Sequence, residues 1–122
     1  MKGMDAQFDE SGNYYCVTYL GLRTPATMTH LLESVKGNAV TTGVYRYVFD
    51  LRRSEEGFSV LDKYKFGIYL ADLFQDKYTI AVVVRKEHIT GFLGDVANNR
   101  GAKRFKITDD EEEALSWMKQ QP

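Results

Sequence analysis

A single cysteine, Cys16, leaves no partner for an intrachain disulfide, so packing rather than a covalent staple must hold this chain together. One unpaired cysteine also fits a reducing compartment, and on that ground a cytoplasmic location is expected. The two histidines, His30 and His88, lie far apart with no cysteine pair beside either, so no metal site is expected. No glycine-rich phosphate loop and no nucleophile elbow occurs, which excludes the commonest nucleotide-hydrolysing and serine-hydrolase signatures. No apolar run approaches the ~20 residues that span a bilayer. Met1-Lys2-Gly3 leads into Asp5 rather than into an apolar stretch, so no secretory signal is expected. Net charge is −1, which supplies no field for nucleic acid or a membrane surface.

What is present is ordinary globular material: 43% hydrophobic and 27% charged residues in a chain of 122. A chain of this length buries roughly two thirds of its unfolded surface and builds one core, so residues 1–122 are expected to form a single domain. The charge is uneven. Residues 109–113 are all acidic, and residues 1–108 carry 15 basic against 12 acidic side chains.

The elements follow from periodicity. Residues 6–10 and 14–22 flank Ser11-Gly12-Asn13, a hairpin signal. The second arm is apolar on both faces, as suits a strand covered on both sides. Thr24-Pro25 supplies a helix start, Met28, Leu31, Leu32 and Val35 recur at helical spacing, and Gly37 is the expected stop. A strand over 44–51 ends in a polar loop, 52–57. A helix over 59–75 follows, with Leu61, Tyr64, Ile68 and Ala71 expected to face inward and Leu70, Leu73 and Phe74 widening that stripe. Residues 78–84 are the most apolar strand, 87–100 a third helix with Ile89, Phe92, Leu93, Val96 and Ala97 inward and Gly101 beyond its end, and 104–107 a short strand. Thr108 and Glu111 have capping-box spacing for a last helix carrying Ala114, Leu115, Trp117 and Met118. The order ββαβαβαβα predicts one layered α/β domain with a mainly parallel sheet of about five strands, right-handed crossovers and an antiparallel first strand at an edge.

Two stretches carry a resemblance. One is Val48-Phe49-Asp50-Leu51-Arg52, followed by Phe58-Ser59-Val60-Leu61-Asp62 and Gly67. The other runs from Ala81-Val82-Val83-Val84 through Asn98-Asn99-Arg100-Gly101 and Phe105 to the acidic helix start and Ala114-Leu115-Ser116-Trp117. Together, over residues 6–119, they resemble the SpoIIAA-like group of the STAS superfamily, relatives of anti-sigma factor antagonists. The resemblance implies a STAS-type sheet and a non-enzymatic regulatory or protein-interaction role; lipid-carrier domains share a related layout. In the antagonists the helix after the aspartate-leucine strand opens on an aspartate-serine-serine-glycine segment whose serine is phosphorylated. Here the region reads Gly57-Phe58-Ser59-Val60-Leu61-Asp62, without the paired serines or the glycine, and Ser59 is the nearest positional counterpart.

In open α/β sheets, ligands and partners meet the carboxyl ends of the strands. Arg23, Arg52, Arg53, Arg85 and Lys86 all fall just past expected strand ends, beside helix starts, where guanidinium groups and backbone amides together favour an anion. The same charges also suit solvated loops paired with Asp50, Glu55, Glu56 and Glu87. Ser59 serves equally as a helix N-cap or as a phosphosite, and Asp50 and Asp62 as caps or ion-pair partners rather than as an acid/base pair. Cys16 suits a buried small hydrophobe, and the eight tyrosines and seven phenylalanines suit core packing or the lining of a lipophilic pocket. The expected function is therefore non-catalytic and cofactor-free. It is either a protein-contact module working through the carboxyl edge and the helix after Ser59, or a carrier of a lipophilic or anionic small molecule between sheet and helices. Self-association is left open.

Overall fold

The computed structural model describes residues 4–10, 12–73, 77–91 and 104–121. Two strands open the chain, β1 (Met4–Asp9) and β2 (Tyr14–Tyr19), paired antiparallel with Asp9 opposite Tyr14. Asn13 sits at φ 53°, the left-handed conformation that an asparagine tolerates in a tight turn. After them come β3 (Gly21–Arg23), α1 (Pro25–Thr42), β4 (Arg46–Asp50), β5 (Ser54–Glu56), α2 (Val60–Leu73) and β6 (Thr79–Val83). A 3₁₀ segment over Lys86–Gly91, β7 (Phe105–Thr108) and α3 (Glu111–Gln120) complete the described elements. The main sheet has the order β1-β2-β4-β6-β7, parallel throughout except for β1 at its edge.

The period of two along the strands sorts the core into two layers. Val17, Tyr47, Phe49 and Ile80 face α1 and α2, meeting Leu31, Leu32, Val35, Phe66 and Leu70. Val48, Ala81, Val83 and Tyr14 face the other way and pack on Ala114 and Met118 of α3. Burying each large aliphatic or aromatic side chain stabilises by about 1.5–3 kcal/mol, so the sheet is fixed from both sides. No helix among the described residues is long and apolar enough to cross a membrane.

The expected sheet and its antiparallel edge are present, while four local features differ from the sequence reading. Gly37 does not stop α1, which continues to Thr42. The extra turn is held by tertiary contacts: Ala39 is fully buried, and Asn38 Nδ2 donates to the buried Tyr47 hydroxyl at 2.8 Å. The stop is Gly43, at φ 75°, whose N–H returns to the Ala39 carbonyl at 2.8 Å. Second, the stretches 21–23 and 54–56 form a small parallel sheet of their own, with Arg23 opposite Glu56. Third, α2 buries only part of the expected stripe: Leu70 is buried as expected and Phe66, outside the stripe, is buried with it, while Leu61 and Tyr64 are 60% and 47% exposed. Fourth, the cap of α3 is Asp110, not Thr108. Its carboxylate accepts from the N–H groups of Glu112 and Glu113, while the Thr108 hydroxyl donates to Glu113 at 2.7 Å. The third helix expected over 87–100 begins where the 3₁₀ segment lies. Phe92, Leu93, Val96, Ala97, the Asn98-Asn99-Arg100-Gly101 stretch, Ser11 and residues 74–76 lie outside the described residues.

The two glycines of α1 make opposite predictions. A Cβ at Gly37 meets nothing within 4 Å, so Gly37→Ala raises stability by about 0.5–1 kcal/mol through backbone entropy. Gly43→Ala forces a side chain into the left-handed region and costs about 1 kcal/mol. Urea unfolding midpoints move in opposite directions if α1 ends where described.

Candidate functional site

The parallel strands bring the loops after β2, β4 and β6 to one edge. The Leu51 N–H donates to the Val83 carbonyl at 2.8 Å, and the Gly57 N–H donates to the Arg23 carbonyl at 2.8 Å. This second contact depends on glycine, because a Cβ at Gly57 would sit 2.9 Å from the Arg23 carbonyl oxygen and 3.0 Å from the Leu22 side chain. Gly57 therefore lets the end of β5 lie against β3, which fixes Arg23 beside the apolar layer below.

That layer is not filled. Between α1, α2 and the sheet lies a cavity of about 80 Å³. Met28, Leu31 and Leu32 form one wall and Phe66 and Leu70 another, with Phe49, Ile80, Val82, Phe105 and Ile107 as the floor. Leu51, Phe58 and Val84 complete its apolar part; the polar groups are Arg23, Glu56 and His88. At roughly 10–15 Å³ per water-sized group, such a space takes a short chain of about six to eight heavy atoms.

Arg23 is only 6% exposed. Its Nη2 lies 3.3 Å from His88 Nδ1, and among the described residues that is its one side-chain partner and its buried Nε has none. Burial pushes its pKa down, with nearby Glu56 acting in the opposite direction and Arg85 adding to the fall. The surrounding carboxylates are already engaged: Glu56 with Lys63 of α2 at 3.3 Å and Glu55 with Arg85 at 3.3 Å. Arg85 also lies 4.0 Å from Glu87. A buried guanidinium with an orphaned donor is costly unless an anion completes it.

The remaining predicted residues fall into separate groups. Arg52 clasps Asp50 in a two-pronged contact, Nε to Oδ1 at 2.9 Å and Nη2 to Oδ2 at 2.8 Å, and reaches Glu111 of α3 at 3.4 Å. The hydrogen bond from Arg52 holds the Asp50 carboxyl below its ordinary range, against the opposing effect of burial. This cluster ties the end of β4 to α3. Ser59 and Asp62 close a reciprocal capping box at the start of α2: Ser59 Oγ accepts from the Asp62 N–H at 3.1 Å, and the Ser59 N–H donates to Asp62 Oδ2 at 3.3 Å. Arg53 and Lys86 are exposed. The Cys16 thiol is pushed up to about 11, chiefly by burial and then by Glu111, which leaves it protonated at neutral pH.

The sequence places Arg23 and Arg85 at this edge and offers Glu55, Glu56 and Glu87 as pairing partners, which Arg85 does find in Glu55 and Glu87; it gives no sign that His88 is the neighbour of Arg23. The signal for the strand pair beneath them was the three-residue complementarity of 21–23 with 54–56, too short for a periodicity reading. Among the described residues, no group of three histidine, cysteine, aspartate or glutamate side chains is placed to hold a metal ion.

The architecture is that of a SpoIIAA-like fold. Among solved structures, this chain is similar to an uncharacterized protein of the DUF3478 family from Shewanella loihica PV-4, which has that fold. The TM-score is 0.55 at 22% identity, covering 94% of this chain and 91% of the other. No protein-family model matches the sequence, and no curated protein matches it.

The Asp50–Arg52 contact has a definite pH signature. An unfolded aspartate titrates near about 3.9. Because the folded value lies lower, the stabilisation is complete above the unfolded value and disappears as pH falls through the folded one. Asp50→Asn should therefore lower stability by about 1 kcal/mol at pH 7. The gap from the wild type should close below about pH 4, as measured by urea unfolding at a series of pH values. Ser59→Ala should cost about 1 kcal/mol by loss of the cap, while Ser59→Asp retains it.

Proposed function

We propose that this chain is a non-catalytic binding domain whose cavity takes the short apolar part of an anionic amphiphile, with Arg23 holding the anionic head. The observation that carries this reading is the buried, unpartnered Nε of Arg23 at the margin of an otherwise apolar cavity. A carboxylate, sulfate or phosphate there gains a charge-assisted hydrogen bond in a low-dielectric setting, and the tail gains burial against Leu31, Phe49 and Val82. Of the residues expected at the carboxyl edge, Arg23 belongs to this site directly, and Arg85 acts on it only through its charge. Asp50, Arg52, Arg53 and Lys86 stand outside it. A cytoplasmic setting agrees with this reading.

A second reading, contact with a protein partner, is favoured by the outer face of α2. Val60 is 83% exposed, and with Leu61 and Tyr64 it presents apolar surface at the start of that helix, beside Ser59. Phosphorylation of Ser59 would place a dianion next to Asp62 and break the reciprocal cap, so it would act on this face rather than on the cavity.

Octyl sulfate and octanol separate head from tail. The wild type should bind octyl sulfate saturably, and Arg23→Met should weaken it by about ten- to a hundredfold. Octanol should bind both proteins within about threefold, which also reports that the variant folds. Equal octyl sulfate affinity in the two proteins, by calorimetry, would refute a role for Arg23. For the second reading, sedimentation velocity across a concentration series tests whether α2 pairs two copies: Leu61→Glu should abolish any association seen, and association that survives it excludes this face.

A further inference from the structure

His88 is the neighbour that makes the anion site conditional. A guanidinium only donates hydrogen bonds, so the 3.3 Å approach of Arg23 Nη2 to His88 Nδ1 requires a lone pair on that nitrogen. That contact is a hydrogen bond only with His88 neutral and its proton on Nε2. We infer that binding of an anionic head group at Arg23 is coupled to protonation of His88, so that the site takes up a fraction of a proton with its ligand and holds the ligand less tightly as pH rises. This inference rests on the binding reading above and adds its regulation.

The chemistry follows from the donor count. Without ligand, a proton on Nδ1 would aim a second donor at a buried cation, which both hydrogen bonding and charge oppose. With an anion between them, the same proton becomes a donor to the ligand, and Arg23 Nε supplies another. The ligand thus reverses the sign of the field at the imidazole.

Among the described residues, the charges acting on Arg23 are Glu56 and Glu55 of β5 and Arg85, while Lys86 and Glu87 directly precede His88. Glu55 is paired with Arg85 and Glu56 with Lys63. Of the side-chain types, imidazole is the one that ordinarily changes charge between about pH 5.5 and 8.

Octyl sulfate is the probe, because its head stays anionic throughout this range. Its dissociation constant for the wild type should fall by about tenfold between pH 8 and pH 5.5, the equivalent of one pKa unit. Calorimetry at pH 6.5 in two buffers of different ionisation enthalpy should register proton uptake. His88→Gln keeps a side-chain acceptor for Arg23 but cannot titrate, so its affinity should be independent of pH, with no proton uptake. Octanol should show no pH dependence with either protein. Saturable octyl sulfate binding that is flat with pH in the wild type, or equally pH-dependent in His88→Gln, overturns the coupling while leaving the binding reading intact. Absence of octyl sulfate binding at every pH overturns both.

Discussion

A guanidinium buried under apolar walls is the constraint on which this account depends. Left to itself, Arg23 would point its charge into water, because an arginine is almost never fully buried without a partner. Here the pairing of β3 with β5 denies it that escape. The Gly57 N–H docks on the Arg23 carbonyl, and the absence of a Cβ at Gly57 permits the approach. The backbone is therefore fixed at both ends of the short strand pair, and the side chain lies over the gap between α1, α2 and the sheet. The cost of burying that charge is offset by large packing terms elsewhere, chiefly the aromatic stack of Tyr15, Tyr47 and Phe49.

The two faces of the sheet divide the work. On the α3 side, Val48, Ala81 and Val83 meet Ala114 and Met118 in a filled layer. Arg46 strengthens it by donating to the Met118 and Gln121 carbonyls at the end of α3. Arg52 joins Asp50 to Glu111 at the other end of that helix. This side is a clamp. On the α1 and α2 side a cavity remains, and the polar groups lining it are Arg23, Glu56 and His88. The charged loops therefore share one edge of the sheet, yet they do not act together: the Asp50–Arg52 cluster supports α3, while the Arg23–His88 pair belongs to the cavity.

How much of this was legible in the sequence differs by scale. The apolar runs over 14–22, 44–51 and 78–84 and the helical spacing of Met28, Leu31, Leu32 and Val35 carried the layered sheet, because burial acts on many residues at once. Thr24-Pro25 marked the start of α1 for the local reason that a cap and a preset φ act within one turn. The end of α1 was illegible, since Gly37 is tolerated there only because Asn38 finds Tyr47 and Ala39 finds the core. The orientation of α2 was likewise hidden: Val60, Leu61, Tyr64, Phe66 and Leu70 surround the helix, and apolarity alone does not choose a face. Arg23 could be placed at the edge from its position after β2, but its burial could not, because that follows from β5 returning alongside β3. His88 carried no local signal at all.

The claim that Arg23 receives the anion is tested most directly by nuclear magnetic resonance of its own Nε–Hε group during a titration with octyl sulfate. The account predicts that this resonance moves saturably, at the same ligand concentrations that shift the methyl groups of Leu31 and Val82. A resonance of Arg23 that stays in place while those methyl groups respond would contradict it, leaving a cavity that takes the tail and a guanidinium that takes no part.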